Sequence, residues 1–190
     1  MPSNENHMKT EKSKPPLMFA IGSRHWPGLS KLAEEAGELT YVIGLILDSE
    51  NEPPLSIQEQ FAEELGDLLA ACLFVAETNS YSLDEAFAYS KASILLFRTP
   101  SGEANVFTKL AQATGKAMQV IGKLMGTGGD PNHWDGTNLR DRLEHSLSEL
   151  LGAGAFAAKL CDVEEMVEAR KMLKLGVFRC WHIDGLSEGG

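Results

Sequence analysis

Residues 31–47 read KLAEEAGELTYVIGLIL, and after a polar connection residues 61–77 read FAEELGDLLAACLFVAE. Both stretches are apolar at a helical period, and both carry acids: Glu34, Glu35 and Glu38 on the first, Glu63, Glu64 and Asp67 on the second. Glu35 and Glu38 are one turn apart, as are Glu64 and Asp67, so each pair shares neighbouring helix surface. At about 100° per residue, Leu32, Ala36, Leu39, Val42, Ile43 and Ile46 form one stripe, with Glu35 inside it and Glu38 at its edge. On the second helix Phe61, Leu65, Leu68, Cys72 and Val75 form the stripe; Glu64 sits at its border and Asp67 just beyond, beside Phe74.

Acids in that position need compensation. Like charges one turn apart destabilise a helix, and burying a carboxylate costs several kcal/mol unless it is paired. A hard divalent cation is the simplest partner, because it takes carboxylate oxygens and recruits phosphate oxygens. Glu35, Glu38, Glu64 and Asp67 are the candidate ligands. Glu34 and Glu63 lie off the stripes, where an ordinary solvated face stands beside a role in orienting a water or a ligand.

The pattern Glu34-Glu35-x-x-Glu38 followed by Glu64-x-x-Asp67 resembles the MazG-like, all-α nucleoside triphosphate pyrophosphohydrolases, a superfamily that includes dimeric dUTPases and dCTP pyrophosphatases. The lead-in Trp26-Pro-Gly-Leu-x-Lys31-Leu is also similar, and the resemblance covers residues 26–98 well. It implies Mg²⁺ (with Mn²⁺ as a substitute) held by the carboxylates, cleavage between the α- and β-phosphates, and a nucleoside monophosphate and pyrophosphate as products. Glu34, Glu35, Glu38, Glu64 and Asp67 would then be the catalytic set. Lys91 and Arg98 resemble the basic positions that follow the acidic motif; with Lys31 and Trp26 they are the candidate substrate contacts. A Lys or Arg near a helix end also serves as a plain dipole partner, and an aromatic before a helix is more often a packing residue than a base platform. Trp134 is weighed in the same way.

The rest of the chain reads as a second copy. Residues 109–125 (KLAQATGKAMQVIGKLM) match residues 31–47 at an offset of 78, with seven identities in seventeen positions. Residues 149–158 match residues 67–76 at an offset of 82, and residues 163–179 match 83–98 more weakly. The extra residues fall in the turn-rich loop Gly126–Gly136. Glycines shared by the copies, Gly37 with Gly115 and Gly44 with Gly122, are unfavourable in helices by roughly 1 kcal/mol each and are expected at close helix crossings. The acids do not survive: Gln112, Ala113, Lys116 and Ser146 stand where Glu34, Glu35, Glu38 and Glu64 stood, and Glu149 replaces Asp67. Lys116 is expected to neutralise Glu149 or a neighbouring acid, or to reach a bound phosphate.

The expected architecture is therefore an all-α helical bundle of two tandem three-helix repeats, folded as a pseudo-dimer with one active site. Residues 1–16 read as a mobile tail, 17–100 as the repeat with the intact motif, 101–182 as the degenerate repeat and 183–190 as a flexible tail. Helices are expected near residues 29–47, 56–77, 82–98 and 163–179. Ser56 with Glu59 and Ser82 with Glu85 form the capping boxes, and Thr99–Gly102 is the internal boundary.

Composition bounds the rest. The net charge of −10 on 190 residues argues against coating a nucleic-acid polymer. The three cysteines are far apart and suggest no disulfide framework; with a polar N-terminus and no bilayer-length apolar run, a cytoplasmic protein is expected. No Glu-x-x-His pair and no Walker-type loop occurs. Gly185-Leu-Ser187-Glu-Gly189 matches Gly-x-Ser-x-Gly, but without the strand that a nucleophile elbow needs. Arg170, Lys171, Lys174 and Arg179 form the densest basic cluster outside the N-terminal tail and read first as a solvated face, with a face toward polyphosphate as the lesser alternative. The expected partner is a nucleoside triphosphate, with no membrane, and a homodimer is left open. The alternative functions are a nucleotide-binding regulator with little catalysis and a purely structural helical protein.

Overall fold

A computed structural model describes residues 26–48, 55–82 and 103–187. Among them the chain forms five helices and no strand: α1 (Leu29–Leu47), α2 (Leu55–Thr78), α3 (Glu103–Gly126), α4 (Leu139–Leu160) and α5 (Glu164–Ser187). The architecture is an all-α bundle, and no described helix is long and apolar enough to cross a membrane.

Helix α1 starts where the sequence places it. Gly28 caps it in the left-handed region (φ 86°), and a Cβ there would lie 2.8 Å from the Phe74 ring and 2.9 Å from Val75. Glycine thus lets the turn ahead of α1 press directly onto α2. The buried face of α1 is the expected stripe, Leu32, Ala36, Leu39, Val42 and Ile43, with Lys31 and Glu35 buried among them.

Helix α2 is the hub. It packs against α1, α4 and α5, while α3 packs on α4 and α1. From Leu65 to Cys72 every residue of α2 is buried, which a helix reaches only when neighbours cover it on all sides. Gly66 and Gly154 mark the close crossings. A Cβ on Gly66 would lie 2.7 Å from the Cβ of Arg170 on α5, and one on Gly154 would lie 2.6 Å from Leu69. Phe74 meets Phe178 of α5 with ring centroids 5.9 Å apart, and Phe61 meets Phe107 of α3 edge-on at 5.3 Å.

One backbone device recurs at the offset of 82. After α2, Ser80 adopts φ 56° and Tyr81 N donates to Ala76 O; after α4, Asp162 adopts φ 55° and Val163 N donates to Ala158 O. Each is a left-handed C-terminal turn that satisfies a carbonyl the helix leaves open. Between α3 and α4 the chain turns through Gly128, Gly129 and Gly136, all at positive φ. Asn138 then caps α4, its side chain accepting from Arg140 N and Asp141 N.

Several expectations are corrected. Gly37, Gly44, Gly115 and Gly122 do not sit at crossings among the described helices: no other described element comes within 4 Å of a Cβ built on any of them. They fall on the faces of α1 and α3 that point away from the core stripe. Ser56 lies inside α2 rather than ahead of it. Helix α5 continues through Ser187, so residues 183–187 belong to a helix and not to a tail, and Gly185 and Ser187 lie in its last turn. The expected helix over 82–98, its Glu85 cap partner, the Thr99–Gly102 boundary and the N-terminal segments lie outside the described residues.

Candidate metal centre

The site is built on the facing sides of α1 and α2. Glu35 comes from α1, and Glu64 and Asp67 come from α2, one turn apart. A carboxylate oxygen of each lies within 4.8 Å of the others. This trio brings together three of the four expected ligands. Glu38 is exposed on α1 and lies outside it, although its charge is felt at Glu64.

Glu35 is fully buried, at 0% exposure. Lys31 Nζ and Lys174 Nζ stand 3.0 and 3.5 Å from its Oε1. Neither oxygen of Glu35 has a well-directed hydrogen bond among the described residues. Burial pushes the proton affinity of Glu35 up, Lys31 and Lys174 hold it back, and Asp67 adds to the rise. Glu64 is half-buried, and its proton affinity is also raised, first by burial and then by Glu38, Asp67 and Glu35. Both groups are carboxylates placed where a negative charge is unwelcome unless a cation arrives.

Asp67 has different surroundings. It is buried and accepts two parallel hydrogen bonds from Arg170, from Nε at 2.6 Å and Nη2 at 2.8 Å, and a third from Lys174 Nζ at 2.6 Å. Asp67 in turn strengthens the hold of Arg170 on its proton. This corrects the reading of the basic cluster on residues 163–179 as a solvated face. Arg170 and Lys174 face the acids, and Arg179 forks onto Glu77 of α2, with Nε 2.9 Å from Oε2. A signal was present in the sequence: Val163, Val167, Arg170, Lys174 and Phe178 follow helical spacing, so both cations fall inside an apolar stripe.

The other candidates are placed as follows. Lys31 is buried and paired with Glu34 at 2.7 Å as well as with Glu35. Glu34 and Glu63 are exposed. Trp26 is a core residue, and its indole N–H donates to Gly129 O at 2.8 Å, which ties the start of α1 to the loop after α3. Trp134 is 90% exposed, with its ring beside His133. Lys91 and Arg98 lie outside the described residues. Further along the chain, Lys116 Nζ lies 2.6 Å from Glu149 Oε1, one of the pairings expected for it.

Three buried or half-buried carboxylates form a hard, all-oxygen donor set that suits Mg²⁺ or Mn²⁺. Glu35 fits such an ion: it is buried, its lysine contacts are not well-directed hydrogen bonds, and its oxygens keep acceptor capacity. No family model, curated protein or solved structure matches this chain.

Proposed function

We propose that the chain is a Mg²⁺-dependent nucleoside triphosphate pyrophosphohydrolase with one active site, built by α1 and α2. The observation that carries this reading is Glu35. A fully buried carboxylate with no well-directed hydrogen bond, countered by Lys31 at 3.0 Å and Lys174 at 3.5 Å and facing Glu64 and Asp67, keeps acceptor capacity for a cation. The resemblance of the acidic motif to the MazG-like enzymes supplies the substrate class.

Glu35, Glu64 and Asp67 would hold the ion, with Glu38 at the rim. When bound, such an ion supplies charge stabilisation at phosphate oxygens and an activated water. Lys31, buried and paired with both Glu34 and Glu35, helps hold the α1 ligand in a fixed orientation. Substrate choice among deoxy- and ribonucleotides rests on base contacts that the acid cluster does not determine.

The test is a screen of deoxy- and ribonucleoside triphosphates with Mg²⁺ and with Mn²⁺, reading pyrophosphate against orthophosphate. Pyrophosphate release that is lost in Glu35→Gln and Asp67→Asn but kept in Glu149→Gln supports the proposal. Orthophosphate as the sole product, or no turnover of any nucleotide, overturns it.

A specific observation favours a second reading. The bidentate Arg170–Asp67 pair is the geometry of a structural ion-pair network that locks α5 onto α2. On that reading the protein is a helical scaffold, and neither Mg²⁺ nor Mn²⁺ raises its thermal stability, since specific binding to the native state must stabilise it. Nucleotide binding with metal but without product would mark the regulatory alternative.

A further inference from the structure

We infer that Arg170 and Lys174 of α5 are the polyphosphate-binding residues of this site, and that they exchange Asp67 for phosphate oxygens when a metal–nucleotide binds. The inference rests on the reading of the acid cluster as a metal–nucleotide site, and adds to it which residues grip the anion.

Charge motivates the exchange. Among the described residues six carboxylates, Glu34, Glu35, Glu38, Glu63, Glu64 and Asp67, gather at this end of α1 and α2, against Lys31, Arg170 and Lys174. Arg170 and Lys174 both bond Asp67, Lys174 also standing 3.5 Å from Glu35, while Glu64 has neither a hydrogen bond nor an ion pair of its own among those given for the described residues. Arg170 and Lys174 thus stand where a divalent ion held by the trio would have to compete with them. A metal and two cations on one carboxylate repel each other, so the cations turn outward as the site fills.

Geometry provides the destination. The side chains of Arg170 and Lys174 keep 34% and 21% exposure, so neither is sealed off from solvent by its contact with Asp67. They stand one turn apart on α5, their heads on one face of the acid cluster. A guanidinium fork that matches a carboxylate matches a phosphate equally well. Lys31 is a weaker candidate, because it is buried and already held by Glu34 and Glu35. The arrangement also gives the second half of the chain a task. Its own acidic motif is lost, and Lys116 is committed to Glu149. Its last helix instead crosses to α2 and completes the site there. The close fit of the Arg170 stem against Gly66 fixes where the guanidinium emerges.

The experiment measures binding by calorimetry on the full chain, with Mn²⁺ alone and with Mg²⁺–tripolyphosphate as probes, in the wild type, Lys174→Gln, Arg170→Gln and the double variant. Tripolyphosphate carries the proposed chemistry without a base and is free of the unknown nucleotide choice. The expected result has opposite signs. Mg²⁺–tripolyphosphate binds about tenfold or more weakly in the double variant, the loss of charge-assisted contacts. Mn²⁺ alone binds as tightly as in the wild type or more tightly, because its competitors for Asp67 are gone. Lys174→Gln keeps the Arg170–Asp67 fork, and so keeps α5 docked if the double variant does not fold; it shows the same two signs at smaller size. Tripolyphosphate affinity within about twofold of the wild type in a folded variant, or parallel loss of both ligands, overturns the inference. A wild type that binds Mg²⁺–tripolyphosphate through these residues yet hydrolyses no nucleotide leaves the inference standing and removes the proposed reaction. A wild type that binds neither probe removes both.

Discussion

Glu64→Gln should make the metal-free protein more stable, which is the reverse of the usual effect of a substitution at a half-buried position. A Glu64 oxygen lies within 4.8 Å of carboxylate oxygens of both Glu35 and Asp67. At that separation two unit charges repel by roughly 3 kcal/mol at an effective dielectric of about 20. Lys31, Arg170 and Lys174 offset most of this, since Asp67 is already held by two of them and Glu35 lies near the third. The residue of the repulsion is about 1 kcal/mol, within the range that relieving clustered charge commonly yields. For a domain of this size that raises Tm by about 2–4 °C. The assay is urea and thermal unfolding in EDTA, followed by circular dichroism. With Mg²⁺ in excess the order should reverse: an ion at 100 times its Kd adds about 2.7 kcal/mol to the wild type and little to the variant. If Glu64→Gln instead destabilises the metal-free protein by more than about 1 kcal/mol, Glu64 is satisfied as it stands, and the trio is a structural network rather than a metal centre.

Four further outcomes follow from the same structure. Asp67→Asn strands Arg170 and Lys174 beside a neutral amide; removing one partner of a buried pair costs 3–5 kcal/mol, and the partial exposure of Arg170 brings the expected loss in EDTA to about 2 kcal/mol by thermal unfolding. The advantage of Glu64→Gln should depend on pH: Glu64 binds its proton more tightly folded than unfolded, so its ionised form costs stability above the folded pKa, and the difference from wild type should shrink as pH falls from 7 toward the ordinary value of 4.5. Gly66→Ala should destabilise by about 1–3 kcal/mol, because the new methyl meets the Arg170 stem at 2.7 and 2.8 Å and Val167 O at 3.1 Å. Gly115→Ala, on an exposed turn of α3, should instead stabilise by about 1 kcal/mol in urea titration.

Much of this fold was legible in the chain because helices write themselves locally. The apolar stripes of residues 31–47 and 61–77, the burial of Glu35 within one of them, and the bounds Leu29–Leu47 all follow from a period of 3.6 residues, which is a property of neighbours in sequence. The loss of the acids from residues 109–158, and the pairing of Lys116 with Glu149, were readable as charge complementarity between matched positions. Other features depended on what lies across an interface. Whether Gly37 and Gly115 meet another helix is a matter of how the bundle is assembled, and among the described helices the close crossings fell instead at Gly66 and Gly154. The pairing of Arg170 with Asp67 joins residues 103 apart. Periodicity places each of them on a face of its own helix but carries no information about which faces meet. Only the docking of α5 onto α2 turned a row of basic residues into the counter-charge of an acid cluster, because ion pairs fall off with distance in space and not with separation along the chain.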